Sequence, residues 1–264
     1  MNEFGFHRPA TLKDALATLA ASEDARALAG GQSLLPAMKL GLAAPSDLVD
    51  LSAITQMKGI AVGKGGLRIG ALATHAEVAA SADVRGAIPA LARLADGIGD
   101  PAIRERGTLG GSLANNDPAA CYPAALLALG ATVHTDRRSI AADDFLTGLY
   151  ETALEPGELI VSVEFPVPER ASYQKFMQPA SRYALVGVFV AKNRAGVRVA
   201  VTGAAACAFR STGLEAALSA NWSAASCDGV EIPDYELNAD MHASAAYRAH
   251  LIRVLARRAV EQAD

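Results

Sequence analysis

The sequence predicts a chain of mixed helices and strands, long enough for one large or two ordinary domains, and three observations carry that reading. Over residues 26–52 a short apolar run, a glycine turn, an apolar helical stretch and a second alternating run succeed one another as a small βαβ-like unit. From residue 59 the texture changes to short strands broken by glycine turns and interleaved with capped helices. Beyond residue 172 two apolar runs are joined by "KNRAG" in the manner of an antiparallel hairpin, and a long amphipathic helix ends the chain. At 264 residues the chain is long enough to bury a core without disulfide or metal staples.

Thr11 opens the first helix, because its hydroxyl can cap a segment whose Leu12, Ala15, Leu16 and Leu19 share one face, with Asp14 at the capping-box position. Residues 26–29 read as a strand, residues 34–40 as one or two helical turns, and residues 46–52 as the next strand. "GLRIGAL" continues the strand texture, and Thr74 with Glu77 forms a second capping box. A longer helix is expected over residues 84–95, and the glycine-rich segment 107–112 reads as a loop. Pro123 in a first turn and Gly130 beyond a last turn bracket the helix "YPAALLALG". "ATVHT" and the alternating stretch 159–165 read as strands, and the two prolines and two charges of 166–172 mark a boundary. Thr212 with Glu215 is expected to cap a further helix. In the final helix, residues 243–262, Tyr247, Leu251, Val254 and Leu255 line one face, while Arg248, Arg253 and Arg257 lie off it as a solvated basic side.

A net charge of −4 with no block of consecutive Lys or Arg argues against a nucleic-acid footprint or a polybasic membrane patch, so small molecules and other proteins are the expected partners. The hydrophobic fraction is 51%, yet no window reaches the roughly 18 uninterrupted apolar residues of a membrane span. "MNEFGFHRPA" shows no basic region followed by an apolar one, so no secretion signal and a cytoplasmic location are expected. Cys121, Cys207 and Cys227 are odd in number and far apart, which fits reduced thiols, and three thiols cannot ligate a four-cysteine iron–sulfur cluster.

Several motifs fail on context. "GIGDPA" matches a dinucleotide fingerprint by letter, but a helical stretch precedes it and Pro101 sits inside it. "GIAVGK" is one residue too short for a P-loop. The five histidines lack ligand spacing, no nucleophile elbow is present, and Asp143 and Asp144 are most simply the acidic first turn of a helix. No acid, base, nucleophile or metal site stands out, so no catalytic residue and no metal ligand is assigned.

Two glycine pairs remain, Gly30–Gly31 in "AGGQS" and Gly110–Gly111 in "TLGGS". Glycines let backbone amides approach an anion, and successive amides with a serine or threonine hydroxyl can hold diphosphate oxygens without a lysine. Gln32 and Ser33 follow the first pair; Ser112, Asn115 and Asn116 follow the second. Two such loops could grip one diphosphate from both sides. The other reading is two tight turns that need positive φ.

"ALAGGQSLLPAMKLGLAAPSDLVDLS", "GDPAIRERGTLGGSLANNDPAACYPAALLALGATV", "GELIVSVEFP", "YQKFMQPASRYALVGV" and "VTGAAACAFR", in that order over nearly the whole chain, resemble the FAD-binding medium subunit of molybdenum hydroxylases. That family contains the medium subunit of carbon monoxide dehydrogenase and the flavin domain of xanthine dehydrogenase. The resemblance implies a vanillyl-alcohol-oxidase (PCMH) type FAD-binding fold over residues 1–170, in subdomains of about 1–55 and 56–170. Residues 171–264 would then form a C-terminal α+β domain with an antiparallel sheet and helices.

By the same resemblance Ala29, Gly30, Gly31, Gln32, Ser33 and Leu34 contact the FAD diphosphate from one motif, and Thr108, Gly110, Gly111 and Ser112 from the other. Ile98 and Ile160 fall at apolar flavin contacts, and Tyr183 matches an aromatic near the isoalloxazine; core packing accounts equally for residues of these types. The family often has Asn or Asp where this chain has Ser112, and an aspartate where it has Cys121. A thiol is a weak substitute for a carboxylate holding a sugar hydroxyl, so Asn115, Asn116 or Asp117 are candidates to take over that role.

What the resemblance implies is an electron-transfer subunit of an oxidoreductase. Hydroxylation would occur at a molybdenum cofactor in a separate large subunit, and electrons would pass through 2Fe-2S clusters of a small subunit to FAD here, then to an external acceptor. The expected assembly is a dimer of such heterotrimers, a heterohexamer. Two rivals are a stand-alone FAD oxidoreductase of the same fold, which would carry its own proton donor, and a structural subunit that has lost its flavin.

Overall fold

The computed structural model describes residues 2–264 and contains four sheets. In the first, Asp47–Asp50 is the central strand, parallel to Gly5–His7 on one side and to Arg26–Leu28 on the other. Parallel neighbours need a crossover, and the helices Leu12–Ala20 and Leu34–Lys39 supply it. Thr11 accepts the Asp14 amide at 3.1 Å, but the Asp14 carboxylate takes the Thr11 hydroxyl at 2.7 Å, so the second half of a capping box is not made. The strand Gly5–His7 carries only three residues and no alternation to betray it.

The second sheet is antiparallel, in the order Ile60–Gly63, Gly66–Gly70, Ile160–Phe165, Thr132–Thr135, Ser139–Ala141. A chain of helices fills the gap between its second strand and Thr132. The first of these, His75–Ala80, has a complete capping box: Glu77 N–H donates to Thr74 Oγ1 at 3.1 Å and Thr74 N–H donates to Glu77 Oε2 at 2.7 Å. The single helix expected over 84–95 is two, Ala82–Ala87 and Pro89–Asp96. Pro89 has no amide to continue the ladder and biases the residue before it away from the helical region, and Ile88 accordingly adopts φ −142°, ψ 76°. Tyr122–Leu129 is buried along all eight residues, as a helix apolar on every side must be, and Gly130 ends it at φ 64°.

The third sheet is an antiparallel meander of Arg170–Met177, Ala184–Asn193, Gly196–Thr202 and Phe209–Arg210, with Asn193 opposite Gly196 across the predicted turn. Residues 184–191 read as an unbroken apolar run, and Gly196–Thr202 as an apolar run interrupted by Arg198, because both faces are covered. Phe189, Ala191 and Ala200 join the core that contains Tyr122–Leu129, whereas Val188, Val190, Val199 and Val201 join a second core under the terminal helix Ala245–Glu261. Adjacent residues of a strand point to opposite faces, so one strand serves two cores. The fourth sheet is the small pair Leu146–Gly148 and Glu151–Thr152.

Three expectations near the C-terminus are corrected. The helix Thr212–Ala220 has Ser211 at its N-cap without a side-chain bond, and Glu215 instead receives Arg210 at 2.7 and 2.8 Å and the Val199 amide at 3.1 Å. Arg248 is not solvated: it is 3% exposed, and its guanidinium donates to Leu185 O (2.7 Å), Gly203 O (2.9 Å) and Asp240 (2.7 Å). Tyr247, placed by periodicity on the apolar face, is instead exposed and meets Phe176 edge-on. Asp143 and Asp144 do occupy the first turn of a short helix, Ala142–Phe145. Among the described residues no helix is long and apolar enough to cross a membrane.

Candidate functional site

The strand Arg26–Leu28 ends one residue before the first glycine pair, and the helix Leu34–Lys39 begins immediately after Ser33. Gly31 turns the chain at φ +71°, a value open to glycine at little cost. Between these elements the amides of Gly30, Gly31, Gln32, Ser33 and Leu34 have no protein acceptor among the described residues; the first helical bond from this stretch is Leu35 N–H to Gly31 O at 3.3 Å. Five successive amides left unpaired beside a cavity are donors available to a ligand there, which suits an anion.

The second pair behaves differently. Gly110 and Gly111 do not lie in a loop but in the first turn of the helix Leu109–Asn115, capped by Thr108. Their amides are already used: Gly110 N–H donates to Ala71 O at 2.8 Å and Gly111 N–H to Thr108 Oγ1 at 3.1 Å. A Cβ on Gly110 would stand 2.6 Å from Ala71 Cβ, so this glycine serves close backbone packing against residue 71. The expectation that both pairs present their amides to an anion is therefore corrected. The second motif contributes side chains, with the Ser112 hydroxyl and the Asn115 amide left without a protein partner among the described residues.

The two motifs abut. A Cβ on Gly30 would lie 2.0 Å from Arg106 O and 2.8 Å from Gly107 Cα, and one on Gly111 would lie 3.7 Å from Ala29 Cβ. Residues 29–34, Ile98, Thr108, Gly110, Gly111, Ser112, Asn115, Asp117, Ile160 and Tyr183 all line a single cavity of about 670 Å³. That volume falls within the few hundred to a thousand Å³ of ordinary cofactor and ligand sites. Cys121 lines it too, at the N-cap of the buried helix.

Asn116 does not reach the cavity. It sits in a left-handed conformation (φ 41°), is fully buried, and spends its side-chain amide on Gly148 O (2.9 Å) and Glu151 O (2.8 Å). Asp117 faces the cavity with one oxygen held by the Ala119 amide at 2.8 Å and the other by the Tyr150 hydroxyl at 3.3 Å. Tyr183 is half exposed at the end of a turn that Gln178 closes by accepting the amides of Ala180 and Ser181. Burial, with Asp117 beside it, raises the Tyr183 phenol above its ordinary value.

Polar residues of this wall that escape sequence reasoning include His75, Glu158, Lys175 and Arg182. His75 is 5% exposed and its ring closes on Gly107, where a Cβ would be 2.5 Å from Nε2. Burial, and then the charge of Arg104, pulls its pKa down to about 4, so the ring is neutral near pH 7. Glu158 accepts Arg138 at 2.9 and 3.0 Å, Thr135 at 2.7 Å and the Glu155 amide at 2.8 Å. The Arg138 hydrogen bonds lead in holding its pKa near 2, against 4.5 unperturbed.

A depressed folded-state pKa gives stability that is complete above about pH 4.5 and is lost as pH falls towards 2. Glu158→Gln is accordingly expected to flatten the acid limb of the stability profile over that window. The expected loss near pH 7 is on the order of 1–2 kcal/mol, discounted because Arg138 is half in solvent. Chemical denaturation at a series of pH values checks it; an unchanged acid limb would rule it out.

An α+β chain with a run of unpaired amides and free hydroxyl and amide side chains around one cavity has the donors to bind an anionic, polar ligand. Comparison with known proteins narrows this. The family described as the FAD binding domain in molybdopterin dehydrogenase matches residues 2–168. The nicotine 6-hydroxylase medium subunit of Paenarthrobacter nicotinovorans is 36% identical over 271 positions, covering 97% of this chain and 95% of the relative. The carbon monoxide dehydrogenase medium chain of Afipia carboxidovorans is 39% identical over 201 positions, covering 73% of this chain and 70% of the relative. The crystal structure of quinoline 2-oxidoreductase from Pseudomonas putida 86 superposes with a TM-score of 0.89 at 31% identity, over 99% of this chain and 96% of that one. The chain belongs to this family, the FAD-binding subunits of molybdenum hydroxylases, which are oxidoreductases with FAD as this subunit's cofactor. The relatives' names as medium subunits and chains belong to multi-subunit enzymes.

The residues present fit FAD. The unpaired amides of 30–34 match a diphosphate, and Gln32, Ser33, Ser112 and Asn115 are free to meet hydroxyls or phosphate oxygens.

Proposed function

We propose that this chain holds FAD in the cavity through Ala29, Gly30, Gly31, Gln32, Ser33 and Leu34 on one side and Thr108, Ser112 and Asn115 on the other. Gly110 shapes the second side by letting its helix approach the backbone at 71, and Gly111 leaves room for the capping Thr108 hydroxyl and for Ala29 of the first motif. Ile98, Ile160 and Tyr183 provide apolar and aromatic contact, and Asp117 offers a carboxylate to a sugar hydroxyl. The run of five amides without acceptors, abutting the second motif, carries this reading.

When bound, FAD supplies the redox chemistry; the chain's share is binding, orientation and charge. Electrons enter from 2Fe-2S clusters on a small subunit, themselves supplied by a molybdenum cofactor on a large subunit where the substrate is hydroxylated, and leave for an external acceptor. The assembly is a dimer of heterotrimers in the cytoplasm. Residues 1–170 form the flavin-holding part and residues 171–264 a C-terminal domain, with the change of sheet at 166–169 supporting that division.

Co-expression with large and small subunits and purification of the complex tests this. The expected result is oxidised-flavin absorbance at about one flavin per copy of this chain, bleached when the complex's substrate is added. A stable, correctly assembled complex without flavin would overturn the reading in favour of a structural subunit. Full activity from this polypeptide alone would overturn it in favour of a stand-alone oxidoreductase.

A further inference from the structure

Lys175 reaches from the strand Arg170–Met177 to the wall of the cavity. Its ammonium donates to Gly97 O at 2.6 Å and Arg182 O at 3.1 Å, and it stands 3.6 Å from Cys121 Sγ. Two carbonyls and a sulfur fix the position of a cation without cancelling its charge. Among the described residues no carboxylate pairs with Lys175. Of the carboxylates on the same wall, Glu158 is paired with Arg138, and Asp117 keeps its charge, held by the Ala119 amide and the Tyr150 hydroxyl, but makes no contact with Lys175. Arg182, at the same turn, also spends its guanidinium on a carbonyl, Gly99 O at 3.4 Å. The wall around 97–99 and 121 thus holds two fixed cations, neither of them paired with a carboxylate among the described residues.

We propose that Lys175 sets the reduction potential of the flavin. A cation held beside a cofactor that gains electrons favours the electron-rich form, and does so more strongly in a cavity than in water. Cys121 is part of the device, because a carboxylate at that position would cancel the charge that a thiol leaves in place. This inference rests on FAD occupying the cavity.

The test is a redox titration of the assembled complex, following flavin absorbance. Lys175→Met is expected to shift the flavin equilibrium at least about tenfold towards the oxidised form, ~30 mV lower for a two-electron couple. Lys175→Arg keeps the charge and the carbonyl donors, and is expected to stay within about threefold of the parent. Cys121→Asp leaves Lys175 in place and adds the missing counter-charge, so it too is expected to lower the potential, which a purely structural role for Lys175 would not produce. Cys121→Ser is expected to leave the potential where it is; a rise on this substitution would mean that a thiolate already neutralises the ammonium and would overturn the proposal. Flavin present at full occupancy with unchanged potential in Lys175→Met and Cys121→Asp overturns this inference alone. A parent complex without flavin overturns it together with the reading on which it rests.

Discussion

Gly30→Ala is expected to give a chain destabilised by ~2–3 kcal/mol, towards the upper end of what overpacking costs, and a complex nearly devoid of flavin. The reason is crowding rather than backbone conformation, since Gly30 does not sit at positive φ. A methyl there would stand 2.0 Å from Arg106 O and 2.8 Å from Gly107 Cα, both backbone atoms that cannot swing aside. Relief requires the first motif to move away from the second, and that separation opens the array of amides the diphosphate would occupy. Two other glycines calibrate the effect. Gly86, in a helix with nothing within 4 Å of an added methyl, should accept alanine with no loss of stability and a gain of up to ~1 kcal/mol. At Gly41 the φ of +73° penalises alanine by about 1 kcal/mol, yet space is open, so flavin content should be unaffected. Denaturation midpoints together with the flavin-to-protein ratio decide the matter; parental flavin content and midpoint in Gly30→Ala would show that the two motifs are not packed as described.

What the sequence reveals of this molecule is what its local chemistry encodes. The Thr74–Glu77 box is legible because both partners lie within one helical turn. The candidate site is legible because two glycine pairs, each followed by small polar residues, stand in motifs that together resemble one family, and the named positions meet on one cavity apart from Asn116, which its left-handed backbone turns inward. How the second pair works is not local: the acceptor of the Gly110 amide is the Ala71 carbonyl, 39 positions earlier in the chain. Lys175 escapes notice for the same reason, since its partners at 97, 121 and 182 come together only when the third sheet packs on the helices. Helical periodicity likewise cannot distinguish a basic flank from a guanidinium whose acceptors are a strand carbonyl 63 positions away and a carbonyl just past another strand 45 positions away, and so it misplaces Arg248.

Arg248→Met is expected to cost ~3 kcal/mol and to lower flavin occupancy, although the residue lies on the terminal helix and not on the cavity wall. Its side chain is 3% exposed and satisfies two buried carbonyls, Leu185 O and Gly203 O, each of which costs about 1–3 kcal/mol when left without a donor. Methionine fills much of the same volume, so the loss reports hydrogen bonding more than cavity formation. Gly203 connects this loss to the site: its amide donates to Pro118 O at 2.7 Å, and the neighbouring Thr202 hydroxyl lies within donating distance of both Pro118 O (2.8 Å) and Ala120 O (2.6 Å). Leu185 lies two residues beyond Tyr183 on the strand that leaves the cavity mouth. Slackening at 185 and 203 therefore reaches both Tyr183 and the 117–121 wall. Arg257 provides the contrast, because its pairing with Asp228 at 3.0 Å is between two half-exposed side chains, and Arg257→Met should change stability by no more than ~0.5 kcal/mol and leave flavin binding intact. Equal effects of the two substitutions on midpoint and flavin content would refute the link from the terminal helix to the cavity.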